Sequence, residues 1–553
     1  MRRHSDDPAS PTAWTESDQF IAARFSLRRH PAGWLWAIAI TTGLSFVLLL
    51  WHFFLPRWET NDDVAMAMIA HGYGIATHGS PNLVFSNVLW GRFVRLLPEI
   101  NGVQGYSIAT MLVLVTVGAT LIYCLAYRFT FVASLFALIL VLTRPTLFPQ
   151  FTINAGLLAL AAVLCWQRYI QQARLSLLTA GYALAFCSFL VRYQETLLIF
   201  AIAVPLFPWK CRLPRMPAQV ALIAFLIAIS AASFVDREAY RSNDWSAFNE
   251  LNPARIPFTD YGAAVRMKLQ PHILEDHEYS SNDVDLISTW FFVDPKIANP
   301  QSLNKMVGQL SERASIGRSL AGAKVAMAAL WQPEIAVLFA AALLLLLIRP
   351  DWPLLTSWCL CLIAIFCMGF LGRPGVTRVY VPMLCLLLVF ALPSRENKRW
   401  RYVLSFAILA GSALLNLSQV CSDSRVSEAI TKSLEPGLAE LPREPVVIWG
   451  GVFPFEFIYP VTERLAADRP YRFYALGVFT LAPYTVAYNE ALSGRGLVDR
   501  LVSDRGVAIV GNMQRLTYLD IYCREHLHGK LEQLSTQTAA SVTLTQMRCR
   551  KNQ

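Results

Sequence analysis

Long apolar stretches alternate with short polar segments along most of the chain, and this pattern predicts membrane-spanning helices. A helix needs about 20 apolar residues to cross a bilayer, and eleven stretches reach or approach that length. In chain order they cover residues 34–55, 105–125, 130–143, 151–167, 176–191, 195–208, 218–235, 330–348, 354–371, 379–393 and 402–419. The pattern therefore predicts an all-α polytopic membrane protein with about 11 transmembrane helices over residues 34–419.

The two ends of the chain follow a different pattern. Residues 1–33 are polar and mixed in charge, and no small-residue cleavage site follows the first apolar stretch. We therefore expect a cytoplasmic tail and an uncleaved first helix instead of a signal peptide. From about residue 420 the composition becomes that of a soluble protein. Short apolar runs predict a small soluble α/β domain over 420–553, with strands at Val446–Trp449, Gly506–Val510 and Ser541–Leu544.

Composition and charge support a membrane protein and give its orientation. Only 16% of the residues are charged and the mean hydropathy is +0.41, whereas soluble proteins carry about 25% charged residues. The net charge of +10 does not indicate nucleic-acid binding, because the basic residues cluster in short loops between apolar stretches. With the N-terminus inside, sixteen of them lie in inner segments and only four in short outer loops: Arg144, Arg192, Arg373 and Arg378.

This orientation places the long loops 56–104 and 236–329, together with the C-terminal domain, on the outer side of a bacterial inner membrane. In loop 56–104, Asn82 to Leu97 has apolar residues at helical spacing, as in a helix that lies in the membrane interface or packs on other helices. In loop 236–329 we expect short helices on the outer membrane surface, with aromatic side chains at headgroup depth: Trp245, Phe248, Trp290, Phe291 and Phe292.

An acidic pair, Asp62 and Asp63, follows the first apolar stretch. Two interpretations stay open from spacing alone. Asn61 can cap a helix whose first turn favours acidic residues, or the carboxylates perform chemistry at the membrane surface.

Further polar residues lie at the predicted outer helix ends: Arg192, Gln194, Glu195, Arg373, Arg378 and Tyr380. The planar guanidinium of arginine binds two phosphate oxygens at once, so Arg192, Arg373 and Arg378 are candidates for binding a phosphate. The alternative is that these arginines extend to lipid headgroups or pair with Glu195.

With this topology, the stretch Asp62–Ala70 resembles the GT-C glycosyltransferases, integral membrane enzymes that use polyprenyl-phosphate sugars. They include the protein mannosyltransferases and the aminoarabinose transferases of lipid A. In those relatives the loop commonly begins Asp-Glu-Ala-x-Tyr-Ala-x-Ile-Ala. Here Asp62, Asp63, Ala67, Ile69 and Ala70 stand in the same register, whereas Val64 and Met66 depart from it.

The resemblance implies a glycosyltransferase that moves a sugar from a polyprenyl-phosphate donor to a cell-envelope glycan, lipid or protein, with inversion. Asp62 would be the general base, Asp63 would position the acceptor or contact a divalent cation, and the arginines would stabilise the leaving phosphate. Gln194, Glu195 and Tyr380 would contact substrate. A divalent cation is compatible with the two carboxylates but is not required, because no further ligand set lies near them in the sequence.

Other motifs do not change this expectation. Gly450-Gly451 lacks the spacing of a nucleotide site, and Glu525, His526 and His528 are more typical of structural contacts than of zinc. The cysteines form no CxxC pair, and an exported C-terminal region could hold one disulfide among Cys421, Cys523 and Cys549, with Cys523–Cys549 favoured.

Three alternative functions are compatible with many spans. An O-antigen-type polymerase would place its key residues in large outer loops, without the acidic pair. A transporter or flippase for lipid-linked sugars would favour repeats and charges at the membrane midplane. In a non-catalytic assembly subunit the acidic pair would only cap a helix.

Overall fold

The computed structural model describes most of the chain. The described residues are 32–127, 129–207, 215–310, 316–392, 399–438, 442, 444–462, 472–539 and 542–551. The predicted tail lies outside them except for its last two residues.

The first part of the chain is helical. Its helices are α1 Ala32–Phe53, α2 Asn61–His71, α3 Val88–Leu96, α4 Gly105–Ala126, α5 Phe131–Leu147, α6 Phe151–Gln172, α7 Leu175–Ala203 and α8 Arg215–Ala239. Short helices follow: α9 Ser246–Thr259, α10 Ala263–Met267, α11 Pro271–Glu275, α12 Ser281–Ser288 and α13 Pro300–Gln309. The remaining helices before the sheet are α14 Ile316–Ala328, α15 Pro333–Ile348, α16 Trp352–Phe370, α17 Thr377–Ala391 and α18 Arg399–Leu438.

Many of these helices have the length and composition of membrane-spanning helices. Among the described residues, seven are long and apolar enough to cross one, and the count is eight if α14 and α15, which bend by 80°, form one span. Helices α5 and α17 are apolar but shorter, with 17 and 15 residues. The fold class predicted from the sequence, a polytopic helical membrane protein, is thereby confirmed.

Helix α7 is a hairpin of two arms rather than one straight rod. Arg192 leaves the helical conformation, with φ −163° and ψ 103°. The ring of Trp166 contacts Tyr182 and Phe200 at centroid distances of 5.1 and 5.3 Å, although 18 residues of straight helix span about 27 Å. The chain must therefore reverse at Arg192, between the two stretches predicted as separate spans.

Two segments differ from the predicted boundaries. Helix α14, expected within the outer loop 236–329, packs against α16, and the backbones approach so closely that a Cβ on Gly322 would lie 2.4 Å from the Gly369 carbonyl oxygen. Helix α18 continues past the predicted end at residue 419 to Leu438, because residues 420–435 contain no glycine or proline that would stop it.

The C-terminal region forms a five-stranded sheet with short helices. Its strands are β1 Val446–Trp449, β2 Phe473–Leu476, β3 Val507–Val510, β4 Gly529–Ala539 and β5 Val542–Lys551, in the order β2-β1-β3-β5-β4. Strands β2, β1 and β3 are parallel, whereas β5 pairs antiparallel with β3 and β4. Four helices complete it: α19 Phe455–Ile458, α20 Val486–Leu492, α21 Leu497–Leu501 and α22 Met513–His526. The predicted α/β fold is confirmed, and a disulfide joins Cys523 on α22 to Cys549 on β5.

Most of the aromatic side chains expected at the membrane surface in the second long loop are buried within the protein: Trp245, Phe248, Phe291 and Phe292. Phe291 is fully buried and its ring packs against Trp449 of β1 and Tyr522 of α22. The indole Nε1 of Trp449 donates to the Thr289 carbonyl oxygen at 2.6 Å. A single hydrophobic core therefore joins the loop helices α9–α13 to the sheet. Burial against a protein core removes aromatic surface from water as a membrane interface would, so composition could not distinguish them.

The first outer loop contains two helices, and the second of them is shorter than predicted. Helix α2 ends at Gly72, whose φ of +78° belongs to the left-handed region that glycine adopts without strain. The predicted helix from Asn82 to Leu97 is shorter, because Asn87 caps α3 by accepting from the Leu89 N–H. Phe85 thus lies before the helix and not on its face.

Candidate active site

The acidic pair lies in the first turn of α2, and its two members face different surroundings. The helix begins at Asn61 and Thr60 is the residue before it, so the expectation that Asn61 caps the helix is wrong. The Thr60 hydroxyl donates to Asp63 Oδ2 at 3.2 Å, and its oxygen does not accept a capping hydrogen bond from a backbone N–H.

Asp63 is buried, with 1% of its surface exposed. Its Oδ1 accepts hydrogen bonds from the Tyr106 hydroxyl at 3.1 Å and from the Phe151 N–H at 3.0 Å. Burial, and secondarily the nearby Asp62 carboxylate, raises the pKa of Asp63 to about 8. Asp63 therefore connects α2 to the starts of α4 and α6 and does not line the cavity described next.

Asp62 opens into a cavity of about 430 Å³ between the helix ends, the second outer loop and the sheet. We call the part formed by helices and loops the floor: Asn61, Asp62, Ala65, Met68, Ile75, Phe85, Arg192, Arg255, Ile256, Asp260, Trp290, Arg373 and Arg378. We call the part formed by the C-terminal region the roof: Ile448, Gly450, Gly451, Phe455, Ala475, Leu476, Gly477, Val478 and Phe479.

The floor contains two clusters of ion-paired side chains. Arg378 Nη1 lies 3.1 Å from Asp62 Oδ2. Asp260 bridges two cations, with Arg373 at 3.0 Å and Arg255 at 3.4 Å. The Arg255 guanidinium stacks over the Trp290 ring at 4.6 Å, and burial lowers the pKa of Arg255 to about 10.

Arg192 differs from the other three arginines of the floor. Its guanidinium lies over the Phe151 ring at 4.9 Å, and no carboxylate of the described residues lies within 4.0 Å of it. The reversal of α7 at this residue directs its side chain into the cavity. An anionic ligand could therefore bind Arg192 without displacing a carboxylate that lies within 4.0 Å of it.

The other predicted substrate contacts do not line the cavity. Glu195 is 3% exposed, and its Oε1 has no hydrogen-bond partner among the described residues. Gln194 is exposed outside the lining. Tyr380 is fully buried, and its hydroxyl accepts from the Gly375 N–H at 3.3 Å. Tyr380 thus holds the turn that carries Arg373 and Arg378.

Among the described residues, no third ligand lies close enough to the acidic pair to complete a metal site. Within the described part of the chain, Asp283, Glu525 and His526 are the one group of three such ligands close enough to hold an ion. Their atoms already have protein partners: His526 Nε2 lies 2.8 Å from Asp283 Oδ1, and Glu525 accepts from Ser280. This group connects α12 to α22. The divalent cation near Asp62 stays a prediction.

Sequence reasoning missed Arg255, Asp260 and Trp290 as site residues, and it missed the roof. One signal could have indicated the roof. Gly450, Gly451 and Gly477 directly follow the parallel strands β1 and β2, and open α/β sheets bind ligands beyond the carboxyl ends of their strands.

The chain is thus an integral membrane protein whose second long loop and α/β region enclose a charged cavity at the helix ends. No family model matches it, and no curated protein does. Among solved structures it is similar to ArnT from Cupriavidus metallidurans bound to undecaprenyl phosphate, with 13% identity and a TM-score of 0.35, covering 93% of this chain and 98% of that one. The apo state of ArnT gives 14% identity with the same TM-score and coverage.

At a TM-score of 0.35, neither likeness carries an argument about the fold or the chemistry of this chain.

Proposed function

We propose that the chain is a membrane glycosyltransferase that moves a sugar from a polyprenyl-phosphate donor to an acceptor outside the cytoplasm, with inversion. The observation that carries the proposal is the floor of the cavity. There an accessible carboxylate, Asp62, lies among four guanidinium groups, of which Arg192 has no carboxylate within 4.0 Å among the described residues.

The charges of the cavity favour an anionic ligand. The floor holds four arginines and two carboxylates, Asp62 and Asp260, which leaves two positive charges in excess. Partly buried arginines gain most from a phosphate, whose oxygens match their donors and compensate for lost hydration. The cavity lies at the ends of apolar helices, so a lipid phosphate can enter it while its chain stays in the bilayer.

The reaction follows from these positions. The acceptor hydroxyl oxygen attacks the anomeric carbon of the donor sugar, and its proton passes to Asp62. The bond between that carbon and the phosphate oxygen breaks, and the electron pair leaves on the phosphate. Arg192 and Arg378 stabilise the charge that develops there. Since Arg378 pairs with Asp62 at 3.1 Å, a bound phosphate would compete for Arg378 and release the carboxylate.

The contacts of the acidic pair argue against a non-catalytic assembly subunit, in which the two aspartates would only cap a helix. Asp63 makes three hydrogen bonds within the fold, whereas Asp62 pairs with Arg378, 316 residues away, at the edge of an open cavity. We place this cavity on the outer side of a bacterial inner membrane, as the distribution of basic residues predicts.

Binding of the leaving group tests the proposal. The full-length protein in nanodiscs of neutral phosphatidylcholine should bind undecaprenyl phosphate, and Arg192→Gln should weaken binding by about 10- to 100-fold, the value of a charged hydrogen bond. Arg174→Gln is the matched control, because Arg174 is exposed at the other end of α7. Equal affinities for wild type and Arg192→Gln would contradict the proposed phosphate site.

A further inference from the structure

The charged residues of the described lining belong to one of its two parts. All six charged side chains among the described lining residues are in the floor, and the nine described roof residues carry none. Two aromatic side chains, Phe455 and Phe479, contribute to the roof. A ligand that binds against Phe455, Gly477 and Phe479 therefore meets apolar surface and backbone groups, whereas Gly450 lies beside the Arg515 guanidinium.

At two positions of the roof, the backbone conformation does not require glycine. Gly450 has a φ of +61°, and a Cβ there would lie 2.6 Å from the Arg515 guanidinium, so its own conformation explains glycine. Gly451 and Gly477 do not have positive φ. Among the described residues, a Cβ on Gly477 would meet nothing within 4 Å, and one on Gly451 would meet only Asn61 Nδ2 at 3.9 Å. The missing side chains leave room inside the cavity.

One polar side chain of the floor faces this room. Asn61 lines the cavity beside Asp62, and its Nδ2 lies 3.9 Å from the position that a Cβ on Gly451 would take. An amide N–H at this position can donate to an oxygen atom of a ligand.

We propose that the roof is the acceptor subsite and that it binds a neutral, hydroxyl-bearing sugar ring. This rests on the proposed function. Apolar C–H faces of the ring would pack on Phe455 and Phe479, in the space that Gly451 and Gly477 leave. One oxygen of the sugar would accept from Asn61 Nδ2, and the attacking hydroxyl would donate to the neighbouring Asp62. A charged group packed on Phe455 and Phe479 would lose hydration, and none of the described roof residues carries a charge that would compensate for the loss.

Bulky side chains in the roof test this subsite. The full-length protein in nanodiscs is assayed with a panel of polyprenyl-phosphate sugars as donors. The acceptors are neutral alkyl glycosides or the same glycosides carrying a phosphate. We expect the neutral glycosides to be preferred, and Gly477→Val to lower kcat/KM for the acceptor at least about tenfold by excluding the ring. The affinity for undecaprenyl phosphate should stay unchanged. Gly451→Val provides a second variant with the same expectation.

The matched control is Gly308→Val, at an exposed glycine of α13 where a Cβ also meets nothing within 4 Å among the described residues. The acceptor subsite would be overturned if the protein preferred phosphorylated acceptors or if both roof variants retained full transfer. It would also be overturned if the roof variants lost binding of undecaprenyl phosphate. Failure of the wild type to bind undecaprenyl phosphate would instead overturn the proposed function.

Discussion

The two sides of helix α2 differ although their key residues are adjacent. Successive helical residues point about 100° apart, so Asp62 opens into the cavity while Asp63 faces α4 and α6. Asp62 has an ion pair with Arg378 and a third of its side chain exposed. Asp63 has three donors around it and 1% exposure. Accessibility therefore separates two identical side chains into a candidate base and a structural residue.

The comparison also explains why an acidic pair is tolerated here. Asp63 connects three helices that all begin near the cavity, so it fixes the first turn of α2 from which Asp62 projects. Losing Asp63 should affect stability, whereas losing Asp62 should affect chemistry.

The largest effect on stability is expected from Asp63→Ala. The substitution leaves the buried Tyr106 hydroxyl and the Phe151 N–H without an acceptor, and each such group costs about 1–3 kcal/mol. We expect the free energy of unfolding in mixed micelles to fall by about 3 kcal/mol. Asp62→Ala should change it by less than about 1 kcal/mol, because a partly exposed ion pair contributes little. Equal losses in the two variants would contradict the difference between the two sides.

A smaller effect is expected from pH. The folded-state pKa of Asp63 is raised to about 8, above the unfolded value of about 3.9. The folded state therefore holds the proton more tightly. The resulting stabilisation is fully present below about pH 4 and is lost as the pH rises towards 8, with a slope of up to about 1.4 kcal/mol per pH unit. Unfolding measured between pH 5 and 8 tests this slope.

Asp63→Asn is the control for that titration. Its amide keeps an oxygen for Tyr106 and Phe151 and donates to the Thr60 hydroxyl, so it imitates the protonated carboxyl. The slope between pH 5 and 8 should then decrease by the contribution of one proton. An unchanged slope would show that another group causes it.

The sequence predicted well what depends on local pattern. The apolar stretches, the strands at Val446–Trp449 and Val507–Val510, and the pair Cys523–Cys549 correspond to features of the structure. The reversal at Arg192 also falls where two apolar stretches meet.

The sequence could not predict contacts between distant segments. Asp260 meets Arg373 across 113 residues, and the roof glycines reach Asp62 only because the sheet folds back over the first outer loop. Buried aromatic residues such as Phe291 gave a false expectation, because a membrane interface and a protein core both favour them. The hydrophobic pattern of a sequence identifies which residues are buried, but the tertiary fold determines which residues they contact.

The central claim is that Asp62 is the base and Asp63 is structural, and one measurement tests it most directly. The initial rate of sugar transfer is compared for wild type, Asp62→Asn and Asp63→Asn in nanodiscs, with undecaprenyl phosphate binding measured on the same samples. We predict that Asp62→Asn loses about 10²- to 10⁴-fold in rate, the usual contribution of a general base, and still binds the lipid phosphate. Asp63→Asn should retain transfer. Full transfer by Asp62→Asn, or equal losses in both variants, would contradict the account.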